Sequence, residues 1–208
     1  MDVMNNKWTE MPTDETLQKT IDALKKNNFQ AEIVESGEAA RQRVFELIPQ
    51  GSEVMTMTSV TLETLGIAKE INESGKYTAI RTQLMKMDPK TQHKEMNKLA
   101  SAPDFAIGSA HAVTQDGHVV IASRSGSQLP AYVYGAGKVV WVIGAQKVVE
   151  NNDAAVKRIY EYVLERESER VQKAYGLSHS DVDKLLFYNA DQNPERIHLL
   201  LVKELLGF

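Results

Sequence analysis

Three hydroxyl residues, Thr58, Ser59 and Thr61, lie within four positions of one another, just after an apolar run and just before a helical one. A strand that turns into a helix there presents unpaired N–H groups and the positive end of a helix dipole, where Ser and Thr can bind a phosphate or a carboxylate. Ser59 is equally suited to capping that helix. A second group of small and polar residues, Gly108, Ser109 and His111, follows the apolar run Phe105 to Ile107, and a third, Ser123, Arg124, Ser125, Gly126 and Ser127, follows Val119 to Ile121. Together they suit a pocket for a small polar ligand. Arg124 could pair with an anionic substrate or remain a solvated surface charge. Asp116, in Asp116-Gly117, reads either as a turn former or as a general base pointing into the pocket. Lys147, like Arg124, could stabilise negative charge that develops on a substrate.

These residues need a scaffold, and hydrophobic periodicity supplies its outline. Thr13 opens a helix carrying Leu17, Ile21 and Leu24, which Asn27-Asn28 closes. Phe29 to Val34 reads as a strand, and Ser36 caps a helix through Val44 and Leu47 that ends before Pro49. Glu53 to Met57 is the next strand. Ser59 caps a helix from about Val60 to Asn72, and Lys76 to Thr82 reads as a strand. Helices follow over about Pro89 to Leu99 and Ala154 to Lys173; the second places Val156, Ile159, Tyr160, Val163 and Leu164 on one face and Lys157, Arg158, Glu161 and Glu165 on the other. Asp116-Gly117 predicts a hairpin between 111 and 122. A short helix follows the Ser123 to Ser127 loop, broken near Pro130. Ile197 to Val202 suits a buried strand, with Pro194 leaving a helix open as the alternative. Strands alternating with helices predict an α/β fold: three layers, a largely parallel sheet flanked by helices, with ligands bound outside the carboxyl ends of the strands.

Composition narrows the chemistry. The chain has 208 residues, 42% of them hydrophobic, which predicts one domain over 1–208 with a real core. Its 24 basic and 28 acidic residues leave a net charge of -4, which does not favour nucleic acid. No apolar run approaches the roughly 20 residues of a membrane span, and the N-terminal segment is polar, so a cytoplasmic location and no membrane partner are expected. The chain has no cysteine, which excludes disulfides, cysteine-ligated iron–sulfur clusters and a thiolate nucleophile. The five histidines lack metal-ligand spacing. Gly135-Ala136-Gly137 has Val140 where the dinucleotide fingerprint needs glycine, and Gly137-Lys138 continues into Val139, unlike a phosphate loop. Neither a metal nor a cofactor is expected.

Thr58-Ser59-Val60-Thr61-Leu62 with Gly66, Ala102-Pro103-Asp104-Phe105 to Gly108, Ala112-Val113-Thr114 with Asp116-Gly117, and Gly144-Ala145-Gln146-Lys147-Val148-Val149 followed by Ala154-Ala155 and Arg158 together resemble the LUD domain, named for lactate utilization proteins. The resemblance spans about residues 36–170. It implies a fold of the sugar-isomerase and CoA-transferase-like superfamily, which places small anionic substrates at strand ends. Some members carry cysteine motifs for iron–sulfur clusters. The lack of cysteine here implies a non-redox role.

Two functions fit these residues. One is an accessory subunit or sensor that binds a small anionic metabolite in support of lactate or related organic-acid utilization; by family analogy its partners would be iron–sulfur oxidoreductase subunits. The other is an enzyme acting on a small anionic carbon compound, with Ser59 and Thr61 binding the anion, Asp116 moving a proton, and Lys147 or Arg124 stabilising charge. Tyr132, Tyr134, Phe187, Tyr188 and Phe208 predict a homodimer if they gather at an interface, or a completed monomer core if they do not.

Overall fold

A computed structural model describes residues 7–208. The first helix, α1 (Asp14–Lys26), starts where the Thr13 hydroxyl accepts the Thr16 N–H, and it buries the Leu17, Ile21 and Leu24 stripe. β1 (Gln30–Val34) follows, then α2 (Gly37–Leu47), capped by Ser36 through the Ala39 N–H. β2 (Glu53–Thr56) leads into α3 (Val60–Thr64) and α4 (Ile67–Glu73).

The single helix expected over Val60 to Asn72 is therefore two. Gly66, at φ 67°, enters the left-handed region and breaks it. The strand expected at Lys76 to Thr82 shrinks to β3 (Thr78–Ala79), because the chain turns at once into α5 (Ile80–Leu84). α6 (His93–Ser101) starts later than Pro89, since Asp88 holds a turn by accepting the Lys90 N–H and the Thr91 hydroxyl.

β4 (Phe105–Gly108), β5 (Ala112–Thr114) and β6 (Val119–Ser123) come next, and β5 and β6 pair antiparallel as the expected hairpin. A π-turn (Ala131–Gly135) precedes β7 (Lys138–Gly144), which runs through a 3-10 turn (Ala145–Lys147) into β8 (Val148–Val149). α7 (Asn152–Arg158) and α8 (Leu164–Tyr175) are joined through a second π-turn (Ile159–Val163), and β9 (Lys184–Tyr188) and β10 (Ile197–Val202) complete the order. The π-turn lets one extra residue into the helix and moves its faces. Tyr160, expected on the apolar face, is 52% exposed, whereas Arg158, expected on the solvated face, is fully buried.

Six strands in the order β1-β10-β7-β4-β2-β3 form an all-parallel sheet. Its central strands β7 and β10 are apolar at most positions because both faces are covered. On β7 and β10, Val140, Val142, Leu200 and Val202 pack toward α2, α3 and α4, while Val139, Trp141, Leu199 and Leu201 pack with α1 and the hairpin. A smaller sheet, β8-β5-β6-β9, lies over that second face, with Ala155 and Ile159 packed against Ala112, Val120 and Ala122 on its far side. The architecture is the expected α/β arrangement of a largely parallel sheet between helices, and the second sheet adds to it. Among the described residues no helix is long and apolar enough to cross a membrane.

Candidate functional site

The carboxyl ends of β2, β4 and β7 deliver three loops to one place. After β2 come Met57 to Ser59, after β4 come Ser109 and Ala110, and after β7 comes Lys147. All of them line a cavity of about 390 Å3. Its opposite wall is built by Ile121 to Ser123 of β6 and by Leu164, Glu167 and Arg170 of α8. The cavity thus sits between the two sheets, outside the carboxyl ends of the parallel strands, where such sheets bind ligands.

Lys147 is the chemical centre of this site. It is 2% exposed, and its Nζ lies 3.3 Å from Ser109 Oγ, 3.5 Å from Thr61 Oγ1 and 3.2 Å from the Ala110 carbonyl oxygen. No carboxylate among the described residues pairs with it. Burial, and then the nearby Arg158 cation, hold its amine well below the usual lysine range. Arg158 is itself tied down by donating 2.6 Å to the His111 carbonyl, and burial lowers it to about 10.

His111 lines the same cavity, and its Nδ1 accepts the Ala122 N–H at 3.1 Å, which puts the ring proton on Nε2. Burial first, then Lys147 and Arg158, lower it to about 3, so the ring is a neutral donor. Arg81, from α5, reaches the cavity and donates 2.6 Å to Thr58 Oγ1 and 3.0 Å to the Thr56 carbonyl. No carboxylate pairs with it among the described residues. The two carboxylates of the wall are engaged: Glu167 with Arg170 at 2.7 Å, and Asp181 with Arg124 at 3.4 Å.

Of the residues singled out in the sequence, Thr58, Ser59, Thr61, Ser109, His111, Ser123, Arg124, Ser125, Ser127 and Lys147 line the cavity. Ser59 caps α3 by accepting the Leu62 N–H. Ser125 and Ser127 hydrogen-bond each other on the exposed rim, and the Gly126 N–H is held by Ser123 Oγ in a loop at φ 84°. Gly108 acts by lacking a side chain, since a Cβ there would overlap the Tyr132 hydroxyl.

Asp116 does not join them. It sits at the hairpin tip, where it accepts the Thr114 hydroxyl and its carbonyl is held by Asn27, and its side chain is 57% exposed. The structure therefore places Asp116 outside the cavity lining, in the turn-forming role that the sequence also offered.

Sequence reading missed Arg81, Ser109 as a partner of Lys147, and Arg158. Arg81 lies in the segment expected to be a strand, and Arg158, although one of the residues of the family resemblance, lies on the helix face expected to be solvated, so periodicity gave neither a place in the site. Among the described residues no group of three or more His, Asp or Glu side chains is placed to hold a metal ion. With no cysteine in the chain, the donors of a cysteine-ligated iron–sulfur cluster are absent.

The LUD domain model matches residues 17–202 of the chain, beyond the 36–170 of the sequence resemblance at both ends. A crystal structure of a DUF162 family protein from Deinococcus radiodurans is similar in fold, with a TM-score of 0.57 and 10% sequence identity, over 92% of this chain and 99% of that one. No curated protein matches the chain.

Proposed function

Because the chain belongs to the LUD domain family, we propose that it holds a small anionic metabolite over Lys147, as a non-redox accessory subunit or sensor in lactate or related organic-acid utilization. One observation carries the reading: two basic side chains, Arg81 and Lys147, line one cavity without a carboxylate partner among the described residues. An anion would supply the missing counter-charge, and Thr58, Ser59 and His111 Nε2 would complete its hydrogen bonds. Partnership with iron–sulfur oxidoreductase subunits rests on the family. Co-elution of purified subunits of that type with this chain on size exclusion tests it.

Thermal unfolding with L-lactate, pyruvate and inorganic phosphate tests the pocket. A ligand at 100 times its Kd stabilises the native state by about 2.7 kcal/mol. Arg81→Gln and Lys147→Met should each weaken binding by roughly tenfold or more, since a hydrogen bond to a charged group contributes about 1.5–3 kcal/mol. A ligand that binds both variants as tightly as the parent chain would sink the assignment.

A second reading, an enzyme acting on a small anionic carbon compound, is favoured by the depressed lysine itself. A lysine with a lowered pKa holds more of its amine in the free form, the form that acts as a nucleophile or base, than an ordinary lysine does.

A further inference from the structure

The geometry points to Lys147 as a nucleophile that takes up a 2-oxo carboxylate as a Schiff base, with Arg81 and the Thr58-Ser59 turn holding the carboxylate. The inference rests on the anion-pocket reading above and gives it a substrate class. A lysine that served only as a structural cation would be expected to face a carboxylate, because a buried charge without a partner is costly. Here Nζ meets two hydroxyls and one carbonyl instead. Nζ donates to the Ser109 and Thr61 hydroxyls and to the Ala110 carbonyl, all of them uncharged, so no partner among the described residues offsets a charge on the amine. Burial and the neighbouring Arg158 act in the same direction.

The rest of the cavity matches the two ends of a 2-oxo acid. Thr61 touches Nζ, and Thr58, three positions earlier on the same turn, carries the Arg81 guanidinium at 2.6 Å. A carboxylate held by Arg81 and an amine held by Thr61 thus face one cavity from one turn, which suits a substrate carrying a carbonyl next to its carboxylate. His111 supplies an uncharged Nε2–H, with no protein partner among the described residues, for the carbonyl oxygen.

In the reaction, the Nζ lone pair attacks the carbonyl carbon, the C–N bond forms, and the carbonyl π pair moves to oxygen. The ammonium proton passes through the Ser109 or Thr61 hydroxyl to that oxygen, giving a carbinolamine. With one further proton from solvent the carbinolamine loses water, leaving a protonated imine whose positive charge sits beside the bound carboxylate. No electron is gained or lost.

The test is reductive trapping. The full chain is incubated with pyruvate and sodium cyanoborohydride near pH 7.4, and the adduct is mapped by peptide mass spectrometry. Surface lysines are neutral to only about one part in a thousand at this pH. The expected result is one adduct per chain at Lys147, formed at least about tenfold faster than at any other lysine and slowed by excess L-lactate, which has no carbonyl. Lys147→Met should abolish the fast adduct, and Ser109→Ala should slow it roughly tenfold. The wild-type map decides even if Lys147→Met does not fold. Thermal stabilisation by lactate and pyruvate with labelling spread evenly over surface lysines overturns the Schiff base and spares the anion pocket. Absence of stabilisation by either acid, together with absence of a Lys147 adduct, overturns both.

Discussion

The burial that lowers Lys147 also keeps His111 neutral, and the second effect is measurable in acid stability. The folded His111 titrates at about 3, against about 6.5 when unfolded. Between those values the unfolded chain binds more protons, so stability falls as pH drops from 6.5 toward 3, by up to about 1.4 kcal/mol per pH unit. Asp191 adds to the loss at lower pH: burial pushes it up, but hydrogen bonds from Tyr188, the Asn193 N–H and Arg196 outweigh that and keep it below the usual carboxylate range. His111→Asn keeps an acceptor for the Ala122 N–H and removes the titration. Urea midpoints between pH 4 and 6 should fall less steeply in this variant than in the parent chain, and equal slopes would reject the role. At this scale the hydroxyl turn and Lys147 were visible in the sequence, because strand-to-helix junctions and small-residue loops are local signals. Arg81 and Arg158 were not, because their partners, the Thr58 hydroxyl and the His111 carbonyl, lie 23 and 47 positions away.

Among the elements, two departures from the expected pattern have distinct causes. The break at Gly66 is conformational: at φ 67° nothing lies within 4 Å of an added Cβ, so Gly66→Ala should cost only the left-handed penalty of about 1–2 kcal/mol. Gly117 makes the contrast, since a Cβ there would lie 2.6 Å from the Ala23 carbonyl carbon as well as at φ 86°. Gly117→Ala should cost more, and the two are ranked by chemical denaturation.

The π-turn at Ala131–Gly135 depends on Arg196. Its guanidinium donates to the carbonyls of Ala131, Tyr132 and Ala136 and pairs with the buried Asp191 at 2.9 Å. Removing it would leave the buried Asp191 without its cation and take a donor from each of three carbonyls. Arg196→Met should therefore destabilise by about 3–5 kcal/mol, with part of the loss recovered when Asp191→Leu is added. A urea midpoint close to that of the parent chain would show that the π-turn does not need this anchor. No helical or strand periodicity encodes such a clamp, which explains why the turn was read only as a short helix broken near Pro130.

For the molecule as a whole, the parallel sheet was legible because its central strands β7 and β10 are mostly apolar. The division into two sheets was not, since β8 has two residues and β9, Lys184 to Tyr188, is only partly buried. The aromatics that suggested a homodimer separate on folding. Tyr132 and Tyr188 stack around Trp141 in the core, while Tyr134 is 90% exposed beside Val133. Any interface must then form around Tyr134, with Phe187 and Phe208 as further candidates. Light scattering is expected to give twice the 23.3 kDa chain mass, and Tyr134→Ser to reduce it to one chain. A single-chain mass for the parent would reject the dimer.

The place of β10 between β1 and β7 also governs how the protein is made. A ribosome releases β1 and β7 before it reaches Ile197, so in that interval two strands wait with unpaired edges on either side of an empty slot. The large sheet cannot close until nearly 200 residues have emerged, and the contact that closes it joins segments about 168 positions apart, Gln30 with His198. A stalled or truncated nascent chain would expose that slot to any strand of matching character, including the equivalent strand of a neighbouring copy. Chaperone protection during translation is therefore most valuable to this fold in the interval between the emergence of Gly144 and that of Val202.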